Sequence, residues 1–133
     1  MAESAAAKRD RLLAALGLTV NLLGFGAIAL AIASPDPLHS ANLVLALAAG
    51  LPAASTGTVA CGALLLGRRW GMVLALVALA LQLLAVVPYG IVRTALGVGS
   101  RGLTGTVTGL WLAAVVLLII YWALALARPS PSP

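Results

Sequence analysis

The sequence predicts an all-α integral membrane protein, a four-transmembrane-helix bundle with both termini on the cytoplasmic side (N-in/C-in). Its 133 residues are 62% hydrophobic and 8% charged, and the mean hydropathy is +1.13. A helix needs about 20 mostly apolar residues to cross a hydrocarbon core about 30 Å thick. Four such runs occupy almost the whole chain. We therefore expect a single membrane domain over residues 1–133 with no soluble domain.

Breaks between the apolar runs place the four predicted helices at residues 12–33, 41–66, 70–92 and 103–127. The first connection carries Pro35 and Pro37, the second is the tight hairpin Gly67-Arg68-Arg69, and residues 93–102 hold three glycines. The Ala-rich segment 1–11 is expected to extend the first helix into water, and the proline-rich tail 128–133 to be disordered or extended.

The first apolar run also permits an alternative interpretation as a signal peptide. Lys8 and Arg9 precede the run, and Ala31-Ile32-Ala33 imitates a cleavage site. Residues 12–33 nevertheless form a longer run than the 7 to 15 residues, roughly, of a signal-peptide core. We expect an uncleaved first transmembrane helix.

The distribution of Lys and Arg predicts the orientation. Positive residues are retained on the cytoplasmic side of a membrane. One side collects Lys8, Arg9, Arg11, Arg68, Arg69 and Arg128, and the other has Arg93 and Arg101. This imbalance favours N-in/C-in insertion as a multi-pass protein of the plasma (inner) membrane, and the Ala-, Leu- and Arg-rich composition is typical of a GC-rich bacterial gene.

Small residues recur at helical spacing and predict close packing. The third helix carries Gly71, Ala75, Ala78 and Ala85 on one face, the fourth opens with Gly105-x-x-x-Gly109, and the first carries a similar stripe of Ala14, Gly17, Asn21, Gly24 and Ala31. Small residues let helices approach closely in lipid. Such a seam can face the chain's own bundle or another subunit, so both partners stay open.

A polar layer is predicted near mid-membrane. Its members are Asn21, Ser55, Thr56, Thr58 and Gln82. Unpartnered amides are costly in hydrocarbon, so Asn21 and Gln82 are expected to bond to each other, to the hydroxyls or to a ligand. The layer is either interhelical glue or a solute path. Pro52 is expected to kink the second helix beside this layer.

Two arginines at the outer side form a second candidate site. Arg93 and Arg101 flank a glycine-containing connection that leads to the threonines at the start of the fourth helix. This arrangement predicts either contact with lipid phosphates or binding of another anion.

Several function classes are excluded by what the composition lacks. No Asp, Glu, Lys, Arg or His lies deep within the predicted helices, so a proton relay has no residue to use. The carboxylates are Glu3, Asp10 and Asp36, and the single Cys61 and His39 do not make a metal cluster. Cys61 is read as a small apolar residue. We expect no enzymatic activity, no cofactor, no metal and no nucleic-acid partner.

Two resemblances to membrane transporters extend over little of the chain. The four-span layout resembles that of small multidrug exporters, which carry a glutamate in their first helix where this sequence has none. Residues 18–24 are similar to a stretch of fluoride channels, which also need a phenylalanine pair, whereas Phe25 is the only phenylalanine here. Neither function is carried over.

Two functions remain. The first is a non-catalytic membrane protein that acts through helix packing, as an accessory or assembly subunit of a membrane complex or as a homo-oligomer. Its partners are then the lipid bilayer and other membrane helices. The alternative is a small channel or facilitator for a neutral or anionic solute, lined by the polar layer.

Overall fold

Four long helices make up the protein. The structure, a computed structural model, describes residues 5–33, 39–95 and 103–128. The helices are α1 (Ala5–Ala33), α2 (His39–Leu65), α3 (Trp70–Ala95) and α4 (Leu103–Leu126). Each contains a stretch long and apolar enough to cross a membrane. The described part of the chain contains no strand, and the protein has the architecture of a multi-pass membrane protein.

The helices extend beyond the predicted membrane spans chiefly at two places. α1 begins at Ala5, within the segment 1–11 that was expected to extend it, because the residues that precede Leu12 are good helix formers. α3 continues to Ala95 instead of residue 92, so Arg93 lies in the helix and not in the connection that follows it. The predicted disorder of the tail concerns residues 129–133, which lie outside the described residues.

A π-helical turn interrupts α2 beside its proline. Residues Ala46–Gly50 are π-helical, and the N–H of Leu51 donates to the carbonyl of Ala46. Pro52 has no N–H to donate to Ala48, so the regular pattern of hydrogen bonds cannot continue through it. The expected local distortion therefore takes the form of one widened turn before Pro52.

The connection between α2 and α3 is a tight turn centred on glycine. Gly67 has φ of +71°, a left-handed conformation that glycine adopts without steric cost. The N–H of Arg68 donates to the carbonyl of Ala63 at 2.8 Å, and the N–H of Gly67 donates to that of Leu64 at 3.0 Å. This is the Schellman pattern of helix termination, and it sets α2 and α3 side by side and antiparallel.

Three of the four helix pairs around the bundle pack closely. α2 lies against both α1 and α3, and α3 lies against α4. Over the described residues, the backbones of α1 and α4 do not form a comparable close contact. Those two helices meet through side chains, chiefly Trp122 of α4, which shares a buried cluster with Ala14 of α1.

Polar contacts join the first and last helices at one end of the bundle. The hydroxyl of Tyr121 donates to Asp10, and Arg9 Nε donates to that hydroxyl at 3.0 Å. Arg128 lies 3.8 Å from the Asp10 carboxylate, and Arg69 Nη2 donates to the carbonyl of Arg128 at 2.9 Å. We call these five residues the terminal cluster. They bring the start of α1, the α2–α3 turn and the end of α4 to the same end.

Candidate functional site

α1 and α2 pack through matched small and larger residues. A Cβ built on Gly17 would lie 2.9 Å from Cys61 Sγ, and one built on Gly24 would lie 3.8 Å from Ala54 Cβ. Between these contacts, Asn21 lies against Gly57. The spacing of four and then three residues on both helices is that of one face of an α-helix. Glycines therefore make the niches in which the larger side chains of the partner helix sit.

Asn21 is held in its niche by its own helix. Its Nδ2 donates to the carbonyl of Gly17 at 2.7 Å and lies 4.0 Å from Cys61 Sγ. A Cβ on Gly57 would lie 2.7 Å from Asn21 Cγ, closer than real side chains approach one another. The position of this amide is thus fixed by the backbone of α1 and by the absence of a side chain at residue 57.

The small residues of α3 face the interior of the bundle. Gly71 is buried against the Ala60 carbonyl, and Ala75 and Ala78 are also buried. Ala85 is partly buried. Of the two partners that the sequence left open for this seam, the chain's own α2 contacts it at Gly71, and Ala75 shares a buried cluster with Ala60 and Leu64 of α2.

A cavity of about 270 Å³ lies between the four helices. Its walls come from residues of every helix, and most of them are apolar or lack a large side chain. The lining includes Leu16, Gly17, Val20 and Asn21 of α1, Gly57, Cys61 and Leu64 of α2, Ala75, Ala78 and Gln82 of α3, and Trp111, Ala114, Val115 and Trp122 of α4. The glycines and alanines leave this space, which larger side chains would fill.

Gln82 lines this cavity and carries a buried polar atom. Its Oε1 is shielded from solvent and has no hydrogen-bond partner among the residues that the structure describes. An unsatisfied buried acceptor costs about 1–3 kcal/mol. A group that enters the cavity with an O–H or N–H to donate would remove that penalty.

The structure separates the members of the predicted polar layer. Asn21 and Gln82 line the same cavity, but no hydrogen bond joins them. Ser55 is exposed, Thr56 is partly buried, and Thr58 donates to the Ala54 carbonyl of its own helix at 2.8 Å. None of these three hydroxyl residues lines the cavity. Of the partners expected for the two amides, which were each other, the hydroxyls or a ligand, the bond to each other is therefore not formed.

The remaining predicted residues lie away from the cavity. Arg93 belongs to the last turns of α3, and Arg101 lies outside the described residues, so their contact with an anion or lipid stays a prediction. Gly105 lies in the first turn of α4, and Gly109 is exposed with no atom within 4 Å of a built Cβ.

Sequence reasoning missed most of the cavity wall, including Cys61 and Trp111. Cys61 was treated as inert packing, yet it lies beside Asn21 in the lining. Trp111, which also lines the cavity, was not singled out from the sequence. The sequence feature that could have indicated Trp111 is its position as a single tryptophan within an otherwise aliphatic part of the helix. Within the described ranges, no group of three or more His, Cys, Asp or Glu residues could hold a metal ion.

Comparisons with protein-family models, with curated proteins and with solved structures find no match for the chain. The class of the protein is therefore inferred from its fold and its cavity alone. It is a four-helix protein of multi-pass membrane type with a mostly apolar cavity. One residue of the lining, Gln82, has a buried oxygen without a hydrogen-bond partner among the described residues.

Proposed function

We propose that the protein is a non-catalytic membrane protein that binds a small neutral molecule in the cavity between its helices. The single observation that carries this proposal is the Oε1 atom of the cavity-lining residue Gln82, which is buried and has no hydrogen-bond partner among the described residues. Buried polar atoms in proteins almost always have a hydrogen-bond partner. An exception beside an empty space supports a ligand as the missing partner.

The lining defines the chemistry of this ligand. No Asp, Glu, Lys, Arg or His is among the described residues that line the cavity, so a charged ligand would lose its hydration without an ionic partner. The apolar walls favour a mostly hydrocarbon molecule, and Gln82 Oε1 favours a hydroxyl or N–H on it. A cavity of about 150 Å³ is sufficient for benzene. The larger volume here suits a medium-length aliphatic chain or a small ring system.

Heat protection by a matched pair of ligands tests this function. We expect 1-octanol to raise the unfolding temperature of the detergent-solubilised protein more than its methyl ether does, because only the alcohol donates to Gln82 Oε1. At about a hundred times the dissociation constant, bound ligand stabilises a protein by about 2.7 kcal/mol. In Gln82→Leu the advantage of the alcohol should disappear.

A substitution on the outer face of α3 is the control for this experiment. Ala80 is exposed and does not line the cavity, so Ala80→Leu should retain the preference for the alcohol. Equal protection by alcohol and ether in the wild type, or no protection by either, would contradict the proposed function.

The proposed location is the plasma (inner) membrane with both termini in the cytoplasm. The support for this orientation is the charge at one end of the bundle. Arg9, Arg69 and Arg128 all take part in the terminal cluster, and Lys8, Arg11 and Arg68 neighbour them in sequence. Such a concentration of positive charge favours the cytoplasmic side.

Assembly with another membrane helix is a second candidate function, as an accessory subunit or as a homo-oligomer. Gly109 favours it, because this exposed residue has open space around it and is followed four residues later by the exposed Ala113. Small residues at this spacing permit close approach of a neighbouring helix. The channel function has less support, because it requires a solute path lined by the predicted polar layer. The hydroxyl residues of that layer, Ser55, Thr56 and Thr58, do not line the cavity.

The assembly role predicts that Gly109→Leu weakens association. Chemical cross-linking in native membranes should give less oligomer or less of a cross-linked partner than in the wild type. Gly26→Leu on α1 is the control, because Gly26 is equally open but has leucines four residues before and after it. If both variants cross-link like the wild type, the assembly role through α4 is wrong.

A further inference from the structure

We propose that the cavity is entered sideways, between α1 and α4, so that its ligand is a molecule dissolved in the hydrocarbon of the membrane. This inference rests on the proposed ligand-binding function and specifies the class of ligand. The candidate is a hydrophobic, uncharged molecule with one hydroxyl or N–H group, such as a long-chain alcohol.

The exposed part of the lining indicates the side on which the cavity opens. On α1, Leu16 is 56% exposed and Val20 is 41% exposed, while on α4 Trp111 is 39% exposed and Ala114 is also exposed. We call these four residues the portal. On the opposite wall, the lining residues of α2 are all buried. The cavity therefore opens where the backbones of α1 and α4 lack close contact.

The portal lies at a depth where hydrocarbon is expected outside the protein. Val20 follows Arg11 by 9 residues (20 − 11), which is about 14 Å of helix at 1.5 Å per residue, close to half of a core about 30 Å thick. Ala114 lies inside the apolar stretch Thr108–Leu126 of α4. All four portal side chains are apolar, as a surface in contact with hydrocarbon requires.

The route from the nearer end of the bundle is closed. Ala14 and Trp122 are 1% and 4% exposed and lie in one buried cluster between the cavity and that end. Beyond them, Tyr121 and Asp10 of the terminal cluster join α1 to α4. A solute arriving from water at this end would have to separate both layers. A molecule already dissolved in the bilayer meets no such barrier at the portal.

Trp122 provides a reporter inside the cavity. The chain has three tryptophans, and Trp70→Phe together with Trp111→Phe leaves only this buried one. With the protein in phosphatidylcholine vesicles, a brominated long-chain alcohol should quench Trp122 fluorescence in a saturable manner. Its methyl ether should bind about two- to tenfold more weakly, since it cannot donate a hydrogen bond to Gln82. Acrylamide, a water-soluble quencher, should have little effect.

Two neighbouring alanines of α4, Ala113 and Ala114, allow a matched test of the portal. Each is replaced by Phe in the variant that retains Trp122 as its only tryptophan. Ala114 lines the cavity, whereas Ala113 is exposed and does not. Ala114→Phe should weaken binding of the brominated alcohol about tenfold by crowding the portal, and Ala113→Phe should not. Equal binding in the two variants, or strong quenching by acrylamide with none by the alcohol, would overturn lateral entry.

The two proposals fail in different ways. If lateral entry is wrong but the cavity binds a ligand, 1-octanol still protects the detergent-solubilised protein from heat and depends on Gln82. If heat protection is absent as well, the binding function itself is wrong.

Discussion

Gly57→Ala is expected to lower the free energy of unfolding by about 1–3 kcal/mol, because it forces a methyl group into the niche of Asn21. A Cβ at residue 57 would lie 2.7 Å from both Cγ and Nδ2 of that amide. The amide cannot retreat freely, since its Nδ2 donates to the Gly17 carbonyl at 2.7 Å. Either this bond is lost or α1 moves away from α2. Reversible unfolding in mixed detergent micelles measures the difference.

Gly62→Ala is the matched control on the same helix. Nothing lies within 4 Å of a Cβ built on Gly62, so this substitution should leave stability unchanged or raise it slightly. The double variant Asn21→Ala/Gly57→Ala should recover part of the loss, because the shortened side chain leaves room for the new methyl group. Equal stabilities of the Gly57→Ala and Gly62→Ala variants would show that α1 and α2 do not pack through this niche.

Gly71→Ala is expected to destabilise the bundle by about 2–3 kcal/mol, at the upper end of the range for overpacking. A Cβ there would lie 2.8 Å from the carbonyl oxygen of Ala60, and 3.0 Å from both Ala63 Cβ and Leu64 Cγ. The carbonyl belongs to the helical backbone of α2 and cannot rotate aside as a flexible side chain can. The α2–α3 pair must separate to admit the methyl group.

Gly90→Ala serves as the control for Gly71→Ala on α3. Gly90 has no atom within 4 Å of a built Cβ. Urea or sodium dodecyl sulfate titration of both variants should give a lowered midpoint for Gly71→Ala alone. If Gly71→Ala unfolds at the wild-type midpoint, the close approach of α2 and α3 at their shared turn is wrong.

The number and order of helices followed from the sequence because a bilayer demands long apolar runs, and such runs are visible in composition alone. The π-helical turn at Ala46–Gly50 did not, since Pro52 indicates a broken bond but not how the preceding turn adjusts to it. The start of α1 before Leu12 lies in the Ala-rich segment that was expected to extend this helix, although a membrane-length criterion by itself does not place its first residue.

The candidate site was foreseen only in part. Depth along the helices placed Asn21 and Gln82 near one another, and both line the cavity. Depth does not reveal which way a side chain points, so Ser55 was assigned to the same layer although it is exposed. Thr58 can satisfy its hydroxyl on its own helix, which removes any need for an interhelical partner. The cavity itself depends on the packing of all four helices.

Asn21 and Gln82 were given the same role in the sequence analysis, but their surroundings in the structure differ. The central claim is that Asn21 holds helices together whereas Gln82 offers an unsatisfied acceptor to a ligand, and comparing their leucine variants tests it most directly. In thermal unfolding of the ligand-free protein in detergent, Asn21→Leu should lower stability by about 1–3 kcal/mol, since it removes the bond to the Gly17 carbonyl and crowds Gly57. Gln82→Leu should leave stability unchanged or raise it, because Oε1 has no partner to lose and the new side chain is apolar. A loss in Gln82→Leu as large as that in Asn21→Leu would contradict the account, because Gln82 would then hold the helices together and the cavity would have no unsatisfied group to offer a ligand.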